Sequence, residues 1–438
     1  MSAGPALPDP LEIRPLEVPP DATVAPPGSK SITNRALVAA ALAVGRSELT
    51  GVLFADDTEA MLEGLARLGV RLDIDRATRR VAVQGLAGGP TVPPVSIDAR
   101  LSGTTARFLL PVLGLGPGPY LLDGGPGLRA RPMADGLVAL RALGAQVTEQ
   151  GEPGALPVVV AGPMRGLDGA LVVRGDVSSQ FLSGLLLTGP YLPDGLRLVV
   201  DGPLVSAPYV EMTLAVMRAF GVGVARPAAT AYEVPSARYR ATSYRIEPDA
   251  SAASYLFAAA AICGGRVRVE GLGPYSLQGD VGFVDVLGRM GAEVRRDTDG
   301  VEVRGTGRLR GIEVDLRDLS DTAPTLAVTA VFADGPTQVR GIGFIRRKET
   351  DRIAAVVTEL RRCGIDAEET GDGFIVRPGT PRAATVATYG DHRMAMSFAL
   401  LGLRVPGIRI ADPGCVDKTF PDYWQVLESL RTAGRGRG

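Results

Sequence analysis

Apolar residues recur along the chain at helical spacing, in runs that end with a bulky residue and a glycine: GLARLGVRL, ALRALGAQV, AVMRAFGVGV, VLGRMGAEV and ELRRCGIDA. The glycines are Gly69, Gly144, Gly221, Gly291 and Gly364, about 70–77 residues apart. Each run predicts an amphipathic helix with glycine at its C-terminal end and a strand after it. A sixth, degenerate copy, WQVLESLRTAG, stands near the C-terminus. A second pattern alternates with the first, opening on small polar residues and continuing through an Ala- and Leu-rich body. Its copies are SKSITNRALVAAALAVG, SGTTARFLLPVLGLG, VSSQFLSGLLLTG, DASAASYLFAAAAICGG, LSDTAPTLAVTAVFADG and GDHRMAMSFALLG. Helices apolar on nearly every side are predicted to be buried, with only their N-termini polar. Stretches such as LVVDG, RVRVEG and TQVRGI fill the gaps as strands. The unit is strand–helix–strand–helix–strand, about 70 residues long and present six times. Three units in each of two domains is the arrangement favoured over one long array.

Composition narrows the function. Hydrophobic residues are 45% of the 438, enough for two substantial cores. A net charge of −1 gives no field for nucleic acid or anionic membranes, and aromatics at 5% are too sparse to stack bases. Cys263, Cys363 and Cys415 are far apart and odd in number, so neither a disulfide framework nor a metal site is expected. The first twenty residues lack the basic and apolar regions of a secretory signal, and no apolar run is long enough to span a membrane. A cytoplasmic globular protein is the expectation.

Lysine occurs only at Lys30, Lys348 and Lys418, although Lys and Arg together number 47. A drift from Lys to Arg should stall where a compact, rotatable ammonium is needed in place of a planar fork. Each of the three stands in a polar cluster: GSKSITNR, RRKETDR and CVDKTFPD. The buried helices add a second source of positive potential, because their open N-termini attract anions. Several such termini reinforced by Lys30, Arg35 and Arg393 would hold a highly anionic ligand. Ser31 and Arg35 are four apart and share a helix face, as would Lys348 and Arg352 with Glu349 between them. A solvated, ion-paired helix face is the alternative for the latter segment. Asp321 is either an N-cap or a carboxylate base, and Asp391 reads first as a cap. The GSKSITNR segment is not a P-loop, since Ser29 and Val24 occupy the places where that motif needs glycine.

Six segments in order, PPGSKSITNRAL, GDVSSQFLSGLLL, LVSAPYVEMT, RRKETDR, GDHRMAMSFAL and DKTFPDYW, resemble the 5-enolpyruvylshikimate-3-phosphate synthase family across residues 26 to 424. The resemblance implies an α/β protein of two inside-out α/β domains, each of three βαβαββ units, with ligands in the interdomain cleft. It implies domains at 28–247 and at 1–27 plus 248–438, closing around the ligands. The reaction implied adds the 5-hydroxyl of shikimate 3-phosphate to C2 of phosphoenolpyruvate and then eliminates phosphate, on the chorismate branch of aromatic amino acid biosynthesis. By the same resemblance, Lys30, Gly103, Arg131, Gln180, Arg352, Arg393 and Lys418 would bind phosphoenolpyruvate. Lys30, Ser31, Arg35, Ser178, Ser179, Gln180, Ser206, Tyr209, Asp321 and Lys348 would bind shikimate 3-phosphate. Asp321 would accept the hydroxyl proton, Glu349 would protonate C3 of the enol, and Lys30 would stabilise developing charge; the resemblance calls for no metal or organic cofactor and implies a monomer.

Two positions depart from the family pattern. Leu101 and Phe344 stand where asparagine is frequent, which puts those side-chain contacts in question. Retention of Gly103 implies sensitivity to glyphosate. The alternatives are transfer to UDP-N-acetylglucosamine, transfer to a secondary-metabolic cyclohexene acid, or a noncatalytic anion-binding homologue. The first usually carries a loop cysteine that Leu122–Gly127 lacks, and the last would not need both Asp321 and Glu349.

Overall fold

The computed structural model describes residues 7–433. The chain divides into two compact units, one of Gly28–Glu247 and the other joining the chain up to Pro27 with that from Pro248 onward. Strand exchange explains the division. Asp21–Val24 precedes the first buried helix yet pairs in parallel with Arg266–Glu270. Ser243–Arg245 precedes the fourth buried helix yet pairs in parallel with Arg46–Thr50. Each segment thus supplies the first strand of a sheet in the unit that its chain neighbours leave.

Among the described residues, three four-stranded sheets belong to Gly28–Glu247; the other unit has two, with a three-stranded sheet of Leu11–Glu12, Ile408–Ile410 and Ala384–Val386. In the sheet of the third repeat, Leu196–Asp201 pairs in parallel with Ala170–Arg174 and antiparallel with Ala231–Val234, which pairs with Ala225–Ala228. The pattern is βαβαββ, so the five-element unit expected from periodicity omitted one strand. The omitted strand pairs with its neighbour in a short hairpin, as Arg71–Asp75 does with Arg80–Gln84. Strands this short carry too few alternations to register separately from the turn between them.

All five repeat glycines have positive φ, between 83° and 108°. Each stands just past the C-cap residue of its helix, where a left-handed backbone turns the chain toward the next strand and a Cβ would be strained. The sixth copy forms the helix Tyr423–Ala433, while its final glycine lies outside the described residues.

The second helix type forms the cores. Lys30–Leu42, Gly103–Leu113 and Ser179–Thr188 are buried along nearly their whole length in one unit. Ala250–Cys263, Ala323–Ala330 and His392–Gly402 are their counterparts in the other. Within each unit the three pack on one another. Gly184 permits a close approach in the first trio, since a Cβ there would meet the Arg107 carbonyl at 2.7 Å. In the second, hydroxyls of Ser254, Thr325 and Ser397, one per helix, form a chain with steps of 3.3 and 3.2 Å. That chain satisfies buried hydroxyls and brings the helices into register. Among the described residues no helix is long and apolar enough to cross a membrane.

Candidate active site

In Gly28–Glu247 the Ser29 hydroxyl caps the first buried helix by accepting from the Ile32 amide at 3.4 Å. Lys30, the first helical residue, places Nζ 3.1 Å from Oδ2 of Asp57, whose side chain is almost fully buried. Arg35 lies deeper, with its guanidinium enclosed. Nε donates to Thr213 Oγ1 at 2.8 Å and Nη1 to the Ser31 carbonyl at 2.8 Å. Nη2 donates to Ser183 Oγ at 3.3 Å and to the Tyr209 carbonyl at 3.0 Å, and the Phe108 ring centroid is 5.0 Å away. None of these partners is a carboxylate. Burial pulls the Arg35 pKa down to about 10. A desolvated cation held only by neutral dipoles is stabilised by any anion brought beside it.

The other residues of this unit assemble in smaller groups. The Ser178 hydroxyl accepts from the Gln180 amide at 3.3 Å and caps the helix that Ser179 and Gln180 begin. Gln180 Nε2 donates to Thr104 Oγ1 at 3.0 Å. Arg131 lies across the start of the Gly103 helix, so close that a Cβ on Gly103 would meet its guanidinium carbon at 2.8 Å. Ser206 has φ of +56° just before the helix Ala207–Ala219, which carries Tyr209. A non-glycine residue held left-handed marks a constrained backbone.

The second unit corrects one expectation. Lys348 and Arg352 do not share a helix face: the helix begins at Arg352 with Asp351 as its cap, and Gly343–Arg347 is a 3-10 turn. Three cations converge instead on Asp321. Lys348 Nζ lies 2.6 Å from Oδ1, Arg352 Nη1 3.0 Å from Oδ1 and Arg393 Nη2 2.6 Å from Oδ2. Asp321 therefore stands in a 3-10 turn before its helix as the hub of an ion cluster, and its side chain makes no cap.

Arg352 extends the cluster. Its Nε donates to Asp391 Oδ2 at 2.7 Å and its Nη2 to Glu349 Oε2 at 2.7 Å. Lys418 Nζ is 3.9 Å from Glu349 Oε1, and Arg393 Nη1 reaches the Tyr255 hydroxyl at 3.3 Å. Asp391 does cap its helix, accepting from the Arg393 amide at 2.9 Å, while also anchoring Arg352. Burial alone would raise the Asp321 pKa, but Arg393, Lys348 and Arg352 outweigh it and hold the carboxyl well below the usual range. Burial pulls Lys348 down, against the opposing pull of Asp321. Asp280, on the other side, is pushed up to about 6 by burial and then by Asp321.

Several participants escaped the sequence reading. Asp57 gives no motif signal beyond an acidic start to its helix, and Asp280 and Tyr255 lie in segments without charge patterning. Phe344 places its ring under Lys348, with Nζ 5.8 Å from the centroid. Leu101 lies over the glycine-rich loop, where a Cβ on Gly125 would meet it at 3.1 Å. Among the described residues no cluster of three His, Cys, Asp or Glu side chains could hold a metal ion.

The comparisons agree with this architecture. The profile of the EPSP synthase family (3-phosphoshikimate 1-carboxyvinyltransferase) matches residues 18–427. The 3-phosphoshikimate 1-carboxyvinyltransferase of Nostoc punctiforme is 45% identical over 426 residues, covering 96% of this chain and 100% of the relative. That of Thiobacillus denitrificans is 46% identical over 415 residues, covering 93% and 96%. The solved EPSP synthase of Acinetobacter baumannii superposes with a TM-score of 0.81 at 27% identity, over 96% of this chain and 97% of that one. With the repeated βαβαββ units and the ion cluster at Asp321, these matches show that the chain belongs to the EPSP synthase family.

Proposed function

We propose that this protein transfers the carboxyvinyl group of phosphoenolpyruvate to the 5-hydroxyl of shikimate 3-phosphate, releasing phosphate. The observation that supports the residue roles is the cluster at Asp321, where three cations converge on one carboxylate. Phosphate and carboxylate groups of the substrates compete for those same cations. Arg352, Arg393 and Lys418, with Lys30, Gly103, Arg131 and Gln180, are assigned to phosphoenolpyruvate. Lys348, Ser31, Arg35, Ser178, Ser179, Ser206 and Tyr209, with Lys30, Gln180 and Asp321 shared between the two roles or ligands, are assigned to shikimate 3-phosphate, and the lack of a carboxylate among the hydrogen-bond partners of Arg35 supports an anionic ligand there.

In the addition step Asp321 takes the proton of the attacking hydroxyl as oxygen bonds to C2 of phosphoenolpyruvate. Glu349 delivers a proton to C3, giving a tetrahedral intermediate. Loss of a C3 proton and cleavage of the C2–O bond to phosphate then restore the vinyl group. Each proton transfer by a placed side chain contributes about 10²–10⁴-fold. Lys30 stabilises charge on the intermediate. We also read the chain as a cytoplasmic monomer with domain boundaries at residues 27/28 and 247/248.

The deciding experiment measures phosphate release from phosphoenolpyruvate with and without shikimate 3-phosphate. Release that requires shikimate 3-phosphate is expected; its absence from folded protein overturns the assignment.

A further inference from the structure

The geometry points to Arg107 as a positioning residue that sets the anion-binding poses of Gln180 and Arg131, an inference resting on the ligand assignments above. Arg107 is 4% exposed and belongs to the Gly103–Leu113 helix. Its Nη1 donates to Gln180 Oε1 at 2.7 Å, its Nη2 to the Pro132 carbonyl at 3.1 Å, and Phe181 packs with its ring centroid 5.0 Å from the guanidinium carbon. Thr104, one turn earlier on the same helix, accepts from Gln180 Nε2 at 3.0 Å.

The two ends of a glutamine amide are alike in shape and opposite in hydrogen bonding. Here Arg107 claims the oxygen. The NH₂ group is thereby turned away, with one N–H on Thr104 and the second available to an acceptor. A flipped amide would set donors against the guanidinium. A cation on the carbonyl also polarises the amide and strengthens its N–H groups as donors to an anion. Through the Pro132 carbonyl the same guanidinium fixes the residue that follows Arg131, whose own guanidinium rests on Gly103. The two acceptors are served by two separate nitrogens of a planar fork, an arrangement that the single nitrogen of an ammonium does not reproduce.

The test is a double-mutant cycle on the full chain. Arg107→Lys should raise KM for phosphoenolpyruvate about tenfold, with kcat within about threefold and the melting temperature nearly unchanged. In a Gln180→Ala background the same change should raise KM by no more than about threefold, because its main route of action is gone. An unchanged KM, or the same factor in both backgrounds, overturns the role of Arg107. If Gln180→Ala and Arg131→Ala each leave KM unchanged, the ligand assignments fail first and this inference with them. Should Arg107→Lys not fold, Thr104→Val loosens the same amide from its other end. It should raise KM about threefold, and lack of any effect again overturns the inference.

Discussion

Arg393 Nη2 donates a 2.6 Å hydrogen bond to Asp321 Oδ2, so the candidate base is tied to a cation assigned to phosphoenolpyruvate. Lys348 and Arg352 share the other carboxylate oxygen. A carboxyl held well below its ordinary range is a weak base, and it would gain basicity if arriving anions drew those cations away.

Replacing Asp321 with asparagine keeps the shape and removes the base. Turnover should fall by about 10²–10⁴-fold while both ligands still bind, as measured by single-turnover kinetics and calorimetry. Retained turnover would remove Asp321 from its assigned step.

The same depression has a stability consequence with a definite sign. A carboxyl whose pKa is lower folded than unfolded stabilises the fold above the unfolded value of about 3.9, and that contribution fades as pH falls further. Urea unfolding of the ligand-free wild type should lose stability steeply below about pH 4. In Asp321→Asn the slope should be shallower, whatever the offset in absolute stability.

Asp280 has the opposite sign. It is buried beside Ser251, whose hydroxyl donates to it, and it faces Asp321, Asp249 and Arg393. With its pKa pushed up to about 6, the folded state favours the neutral acid. The resulting stabilisation is present below the unfolded value and is lost as pH rises through about 6. Asp280→Asn should therefore stabilise the protein at pH 8 by about 1–3 kcal/mol relative to wild type, and by much less at pH 5. Equal effects at the two pH values would contradict a titrating Asp280.

Gly103→Ala tests the contact with Arg131. The added methyl would meet the guanidinium at 2.7–2.9 Å, so Arg131 must move while the backbone can stay. KM for phosphoenolpyruvate should rise about tenfold with little change in melting temperature. Because glyphosate competes for the same place by resemblance, its inhibition constant should rise in parallel. An unchanged KM would mean that Arg131 does not need its present position.

What the sequence made legible follows periodicity. The six buried helices declare themselves because every face is apolar, and the repeat glycines because a left-handed turn admits little else. The RRKETDR segment shows where that logic stops. Spacing suggested a helix face, whereas the chain makes a 3-10 turn and starts its helix only at Arg352. Asp57, Arg107 and Asp280 were invisible for another reason. Each matters through a partner tens or more residues away, at Lys30, Gln180 and Ser251, and no local pattern encodes such a pairing.

The scarcity of lysine yields the last prediction. Lys348 Nζ sits 2.6 Å from Asp321 Oδ1 and 3.4 Å from Ser320 Oγ, over the Phe344 ring. Arg352 already occupies the same oxygen and Arg393 the other. A guanidinium at position 348 is longer and planar, so it must displace Arg352 or swing out of the cluster, although the charge is conserved. Lys348→Arg should lower kcat/KM at least about tenfold, equivalent to about 1.4 kcal/mol, with the fold intact by circular dichroism. Lys30→Arg, crowding Asp57, and Lys418→Arg, crowding Glu349, should behave alike. Wild-type rates in all three would mean that a compact ammonium is not required at any of these positions, and that their survival as lysine reflects composition alone.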